Sequence, residues 1–133
     1  MALNNKGLSL SELGNNSEAI ESFDKALFTS PENYILYDNK GYSLYKLGKI
    51  DEAIQLASKS ISLNHDYANA WYNLAIYTLE KNMTEDSVSN LINAIMLDSS
   101  YLKEFIQDKD FDKIRNDTKF IEILKEFRND SQN

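Results

Sequence analysis

The sequence predicts an all-α fold built as a solenoid of stacked helical hairpins. Two observations carry that reading. An internal period of 34 residues runs through most of the chain. Only four Gly and one Pro punctuate its 133 residues, too few turn-formers for a protein made of many short strands. Laying residues 1–33 over residues 35–67 without a gap matches eleven positions: Asn5, Lys6, Gly7, Ser9, Leu10, Leu13, Gly14, Glu18, Ala19, Ile20 and Lys25, each repeated 34 places on. Residues 68–101 follow more loosely, with Asn73, Ile95, Leu97 and Tyr101 repeating Asn39, Ile61, Leu63 and Tyr67. A period of this length implies supersecondary units that bury their apolar faces against one another.

Each unit reads as helix, turn, helix. In the first, Leu3, Gly7, Leu10 and Leu13 form a small or apolar stripe at helical spacing. Gly14-Asn15-Asn16 ends that helix, because Gly and Asn tolerate the left-handed backbone of a C-terminus. Ser17 is the expected N-cap of the next helix, with Glu18 favourable in its first turn. Ala19, Phe23, Ala26 and Leu27 share one side of this second helix, and Pro31 stops it. The second unit repeats the plan, Gly48 closing one helix and Asp51 opening the next. Small residues at Gly7, Gly41 and Ala75 face Ala19, Ala53 and Ser87, allowing paired helices to approach closely. The third unit departs most from the others, so its packing is expected to be the loosest.

Residues 102–133 leave the period. Phe105, Phe111 and Ile114 are followed by a stretch in which Phe120, Ile123, Leu124 and Phe127 share a face. A solenoid needs an end element with one apolar and one polar side, and this segment is read as that cap. Asp108, Asp110 and Asp112 have the opening spacing of a calcium loop. Lys113 and Lys119 stand where that loop needs Gly and a bidentate Glu, which argues against the ion.

These units resemble the tetratricopeptide repeat, whose signature W-x₂-L-G-x₂-Y, A-x₃-F and P is matched in pieces. The pieces are Trp71-x₂-Leu74, Tyr37-x₂-Lys40-Gly41-x₂-Leu44 with Ala53-x₃-Ala57, and Leu3-x₂-Lys6-Gly7-x₂-Leu10 with Ala19-x₃-Phe23 and Pro31. Lys6 and Lys40 replace the usual leucine, His65 and Ser99 the proline, and Ser87 an alanine. The resemblance implies a right-handed superhelix in one domain. Its repeats fall at about 1–33, 34–67 and 68–101, with a helical cap over 102–133. Because residue 1 falls one place into a repeat, a longer array preceding it is one expectation.

Several classes of function find no support. Net charge is −7, and the segments 1–33, 34–67, 68–101 and 102–133 carry −3, 0, −3 and −1. No segment is basic enough to neutralise a phosphate backbone, so nucleic-acid binding is not expected. The absence of Cys removes disulfides, thiol nucleophiles and zinc-thiolate sites. No signal pattern opens the chain and no apolar run approaches the ~18 residues of a membrane span, so a cytoplasmic protein without membrane contact is expected. His65, the one histidine, sits in an inter-repeat turn without a partner base or ligand, and reads as a solvent-facing loop residue. No enzyme, cofactor or metal site is expected. Asn-x-Ser/Thr triplets at Asn15, Asn82 and Asn116 read as chance in an Asn-rich chain.

What remains is a surface. The resemblance implies that the first helix of each repeat lines a concave groove that binds a partner peptide or helix. Carried onto this chain, that face holds an asparagine ladder (Asn5, Asn39 and Asn73) beside Tyr42, Tyr45, Tyr72 and Ile76, with Asn4, Leu8, Asp38, Asn69 and Leu79 nearby. A carboxamide can donate to and accept from an extended backbone whatever its sequence, and Tyr joins a rigid apolar ring to a polar tip. The alternatives are that the asparagines follow the repeat pattern alone and that the tyrosines pack between repeats. The lysine, asparagine and arginine clamp that holds chaperone C-termini maps to Asn4, Leu8, Asn39, Asn69 and Asn73, where only Asn39 agrees. The expected ligand is uncharged or mildly basic with apolar anchors. A competing function is self-assembly into homo-oligomers through exposed end repeats.

Overall fold

The structure, a computed structural model, describes residues 14–118, 120–122 and 125–126. Within these the chain forms α1 (Asn16–Thr29), α2 (Tyr34–Lys46), α3 (Ile50–Leu63), α4 (Ala68–Glu80), α5 (Thr84–Leu97), α6 (Tyr101–Gln107), a 3₁₀ turn (Lys109–Phe111) and α7 (Asp112–Arg115). Helical backbone resumes at Thr118. The architecture is an all-α solenoid: α2 packs on α3 and α4 on α5, while α1 with α2 and α3 with α4 join successive pairs. The first helices of two pairs, α2 and α4, also touch each other. Among the described residues no helix is long and apolar enough to cross a membrane.

Helices one period apart start and stop in register, and the turns explain why. Gly14, Gly48 and Asn82, each 34 residues from the last, have φ of +84°, +81° and +60°. At the end of α2 the Gly48 N–H donates to Tyr45 O at 2.9 Å and the Lys49 N–H to Leu44 O at 2.9 Å. At the end of α4, Asn82 and Met83 repeat the bonds to Leu79 and Thr78, again at 2.9 Å. This double closure satisfies the last helical carbonyls and reverses the chain in three residues. Asn82 belongs to it, a role its Asn-x-Thr triplet did not reveal. The helix after the first such turn is capped by Asn15, whose side chain accepts from Glu18 N at 3.3 Å, so Ser17 is the second residue of the helix rather than its cap.

Between pairs a different tie recurs. The Tyr37 hydroxyl donates to Pro31 O at 2.7 Å, and 34 residues on the Trp71 indole N–H donates to His65 O at 2.9 Å. The loop supplies a carbonyl, which any residue can offer, and so an exposed His65 can stand where the first loop has proline.

The close approach of paired helices is seen at Gly41: a Cβ there would lie 3.3 Å from Leu56 Cβ and 3.4 Å from Ala53 O. The third pair is not the loosest. Tyr72 through Leu79 are buried without a break, because α4 is covered by α3 and α5, by α2, and by the 3₁₀ turn. Ser87 fits as well as alanine would, since its buried hydroxyl donates to Ala75 O at 2.7 Å. Phe105, Phe111, Ile114 and Phe120 continue the same core past the last pair. Lys40 does not run free into solvent; its Nζ meets Asp24 Oδ1 of α1 at 2.7 Å.

Candidate functional site

On α4, residues 69, 72, 73 and 76 fall on one face at helical spacing, and α2 brings Tyr42 alongside. The chain after α5 then turns back over this face. The result is a cleft of about 340 Å³ lined by Tyr42, Asn69, Tyr72, Asn73 and Ile76, and by Asp98, Ser100, Tyr101, Glu104, Asp108 and Asp110. Four of the residues expected to bind a peptide, Tyr42, Tyr72, Asn73 and Ile76, therefore come together. Asn39 is half-buried on α2 and Tyr45 packs behind Tyr42 with ring centroids 6.2 Å apart; neither lines the cleft. Asn5, Asn4 and Leu8 lie outside the described residues.

Beneath the cleft is a carboxylate. Asp38, expected on the open groove, is only 1% exposed. Asn69 Nδ2 donates to its Oδ2 at 2.6 Å and Asn73 Nδ2 to its Oδ1 at 3.1 Å. Tyr67 adds a third bond, and the Tyr101 hydroxyl donates to Asn69 Oδ1 at 3.0 Å. Burial pushes the Asp38 carboxyl above its ordinary value despite those bonds, because desolvation penalises the charged form. Asn73 thus gives one of its two amide protons inward, leaving its second proton and its carbonyl oxygen to be satisfied from the cleft.

The far wall is acidic. Asp108 caps the 3₁₀ turn, its Oδ1 accepting from Asp110 N at 2.9 Å while its Oδ2 accepts from the Tyr72 hydroxyl at 2.6 Å. The Tyr45 hydroxyl donates to Asp110 Oδ1 at 3.3 Å. Burial and the neighbouring Asp108 raise the Asp110 carboxyl above its usual range, against the opposing influence of Tyr45 and Lys46. Asp98, at the mouth, is lowered by hydrogen bonds from the Ser100 side chain and backbone. Burial, and behind it Asp98 and Asp38, push the Tyr101 hydroxyl up to about 12, so it stays a neutral donor. The third aspartate of the calcium-like spacing, Asp112, pairs instead with Arg115.

The repeat pattern does not point to this wall, because residues 102–133 leave the period and Asp108-x-Asp110 is weighed only as the opening of a calcium loop. The alternation Asp108-x-Asp110 was the available signal. Read as a cap for a turn rather than a metal loop, it would have pointed back toward the tyrosines.

Fold and cleft together define an α-solenoid of helical hairpins with a lined cleft where α2 and α4 meet the segment after α5. One family model, described as tetratricopeptide repeat, matches residues 2–33, and another, described as TPR repeat, matches residues 41–78. The two matches together span more than half of the sequence, and the chain belongs to the tetratricopeptide-repeat family. No curated protein sequence matches it.

Solved structures do. The first TPR domain of human RPAP3, an NMR structure, has a TM-score of 0.74 and 20% identity, covering 96% of this chain and 93% of that one. The first TPR of Spaghetti (RPAP3), bound to the HSP90 peptide SRMEEVD, has a TM-score of 0.74 and 19% identity over 92% of this chain and 90% of that one. The Sgt2 TPR domain from Aspergillus fumigatus has a TM-score of 0.71 and 19% identity over 74% and 65%. At these identities the likeness speaks for the fold.

Proposed function

We propose that this chain is a non-catalytic protein-interaction module that takes a partner peptide or helix in the concave cleft. In this reading it is one domain, with repeats at about 1–33, 34–67 and 68–101 and a cap over 102–133. The observation that carries the proposal is the convergence of Tyr42, Tyr72, Asn73 and Ile76, from helices of successive pairs, on one lined cleft. Asn73 supplies a carboxamide able to bond a peptide backbone, the tyrosines supply rigid rings, and Ile76 supplies apolar floor. A TPR domain of the same fold is seen holding a peptide, which supports the class of ligand without naming this one.

The test is affinity capture of the partner, followed by binding measurements on wild type, Tyr42→Ala and Asn73→Ala. Loss of a central aromatic contact should weaken binding by about tenfold or more, equivalent to ~1.4 kcal/mol, with far-UV circular dichroism unchanged. Equal affinity in all three proteins removes the cleft from the account. Self-assembly is the competing reading. Phe28, at the end of α1, is 91% exposed and Met96 67%, but they stand on different helices. Sedimentation across a concentration series decides between the two, with a monomer throughout ending the assembly reading.

A further inference from the structure

We infer that the occupant of the cleft is a basic peptide, seating a lysine or arginine against Tyr72 and the carboxylates of Asp98, Glu104, Asp108 and Asp110. The inference rests on the cleft reading above and adds the charge of the partner. Its ground is complementarity: four of the eleven lining residues are acidic and none is Lys, Arg or His. None of the four forms an ion pair among the described residues.

Three cations stand near this wall without pairing with its carboxylates, and of these Arg115 donates to the Asp108 backbone carbonyl and pairs with Asp112. Lys103 lines an adjoining surface hollow with Glu104 and Asp108. Lys46 lies near enough to Asp110 to favour its ionised form without pairing with it, its Nζ 5.2 Å from the Tyr42 ring centroid and 5.7 Å from that of Tyr45. There it shows that ring faces bordering the cleft accept an ammonium group.

Three of the four carboxylates, those of Asp98, Asp108 and Asp110, are also held by hydrogen bonds. Asp108 is fixed from one side by Tyr72 and from the other by the backbone of its own turn. Each carboxylate oxygen keeps further acceptor capacity for a guanidinium or ammonium. Asp108 adds to the cost of ionising Asp110, and an incoming cation relieves it. A peptide of the SRMEEVD kind, with three carboxylate side chains, would meet like charge along the same wall.

The experiment uses the full chain, ¹⁵N-labelled, titrated with two acetylated and amidated peptides, SRMEEVD and its charge-reversed counterpart SRMKKVK. The expected result is saturable shifts at Tyr42, Tyr72, Asn73, Glu104 and Asp108 with SRMKKVK, weakening as salt rises, and none with SRMEEVD. Glu104→Gln with Asp110→Asn should weaken SRMKKVK binding about fivefold, near 1 kcal/mol. Glu85→Gln with Asp86→Asn, exposed in the first turn of α5 and outside the cleft, should not. If the double variant loses helicity, the exposed Glu104→Gln alone decides.

Cleft shifts with SRMEEVD as large as with SRMKKVK would overturn the basic partner while leaving the cleft reading standing. Binding of SRMKKVK weakened equally by the α5 pair would mean general attraction to a chain of net charge −7, and would overturn the inference. Absence of cleft shifts with either peptide would overturn it too, with the cleft reading then judged on its own partner.

Discussion

Asp38 shows what one residue can hide. In the sequence it is one acid among 21, two places from Lys40 and beside Asn39. In the structure it is the hub that Asn69, Asn73 and Tyr67 surround, with Tyr77 and Tyr101 close by. Its native carboxyl titrates above the unfolded value, so between those two values the folded chain binds more protons than the unfolded one. Stability from this group is complete below the unfolded pKa, near 3.9, and is lost as pH rises through the native pKa. Urea unfolding at several pH values should therefore show wild type gaining on Asp38→Asn as pH falls toward 4. A pH-independent difference between the two would mean that the carboxyl titrates alike folded and unfolded. The period marked Asn73 as a residue worth naming. It could not show that half of its amide is already committed, because the acceptor lies 35 positions away on another helix.

At the scale of the element, the 34-residue register is enforced by its turns. Gly14 and Gly48 declared themselves as helix stops, since glycine adopts positive φ without cost. Asn82 does the same work at φ +60° without the obvious letter. Removing its side chain should cost about 1–2 kcal/mol through left-handed strain in Asn82→Ala, whereas Asn82→Gly should be close to neutral. Thermal melts of the pair test this: equal melting temperatures for Ala and Gly would show that the strained conformation is not what ends α4. Helices and turns were legible because they depend on neighbours three or four residues apart. The tightness of the third pair was not, because it depends on a segment arriving from beyond α5.

For the molecule as a whole, that late segment has two jobs. Phe105, Phe111 and Phe120 close the core, with the Phe111 ring centroid 5.3 Å from those of both Phe105 and Tyr72. The backbone between Phe105 and Phe111 carries Asp108 and Asp110 onto the tyrosines of α2 and α4. Capping the stack and walling the cleft are thus mechanically linked. Phe111→Ala should lower stability by about 3–5 kcal/mol, the usual cost of emptying a buried aromatic position. It should also shift the amide resonances of Tyr42 and Tyr72. Loss of stability with those resonances unmoved would separate the two roles. The cap was legible from its apolar pattern, whereas the cleft wall was not, because the tyrosines that Asp108 and Asp110 meet, Tyr72 and Tyr45, lie 36 and 65 positions away in the sequence.

The tie from Trp71 to the loop carbonyl of His65 also furnishes an optical probe. Trp71 is the chain's sole tryptophan, so its emission reports on one junction, while ellipticity at 222 nm sums over every helix. In a stack held by nearest-neighbour contacts, the two signals need not fade together. Superimposed denaturation curves would mark a chain that melts as a unit. Ellipticity lost ahead of emission would mark one that frays from its ends while the middle junction holds.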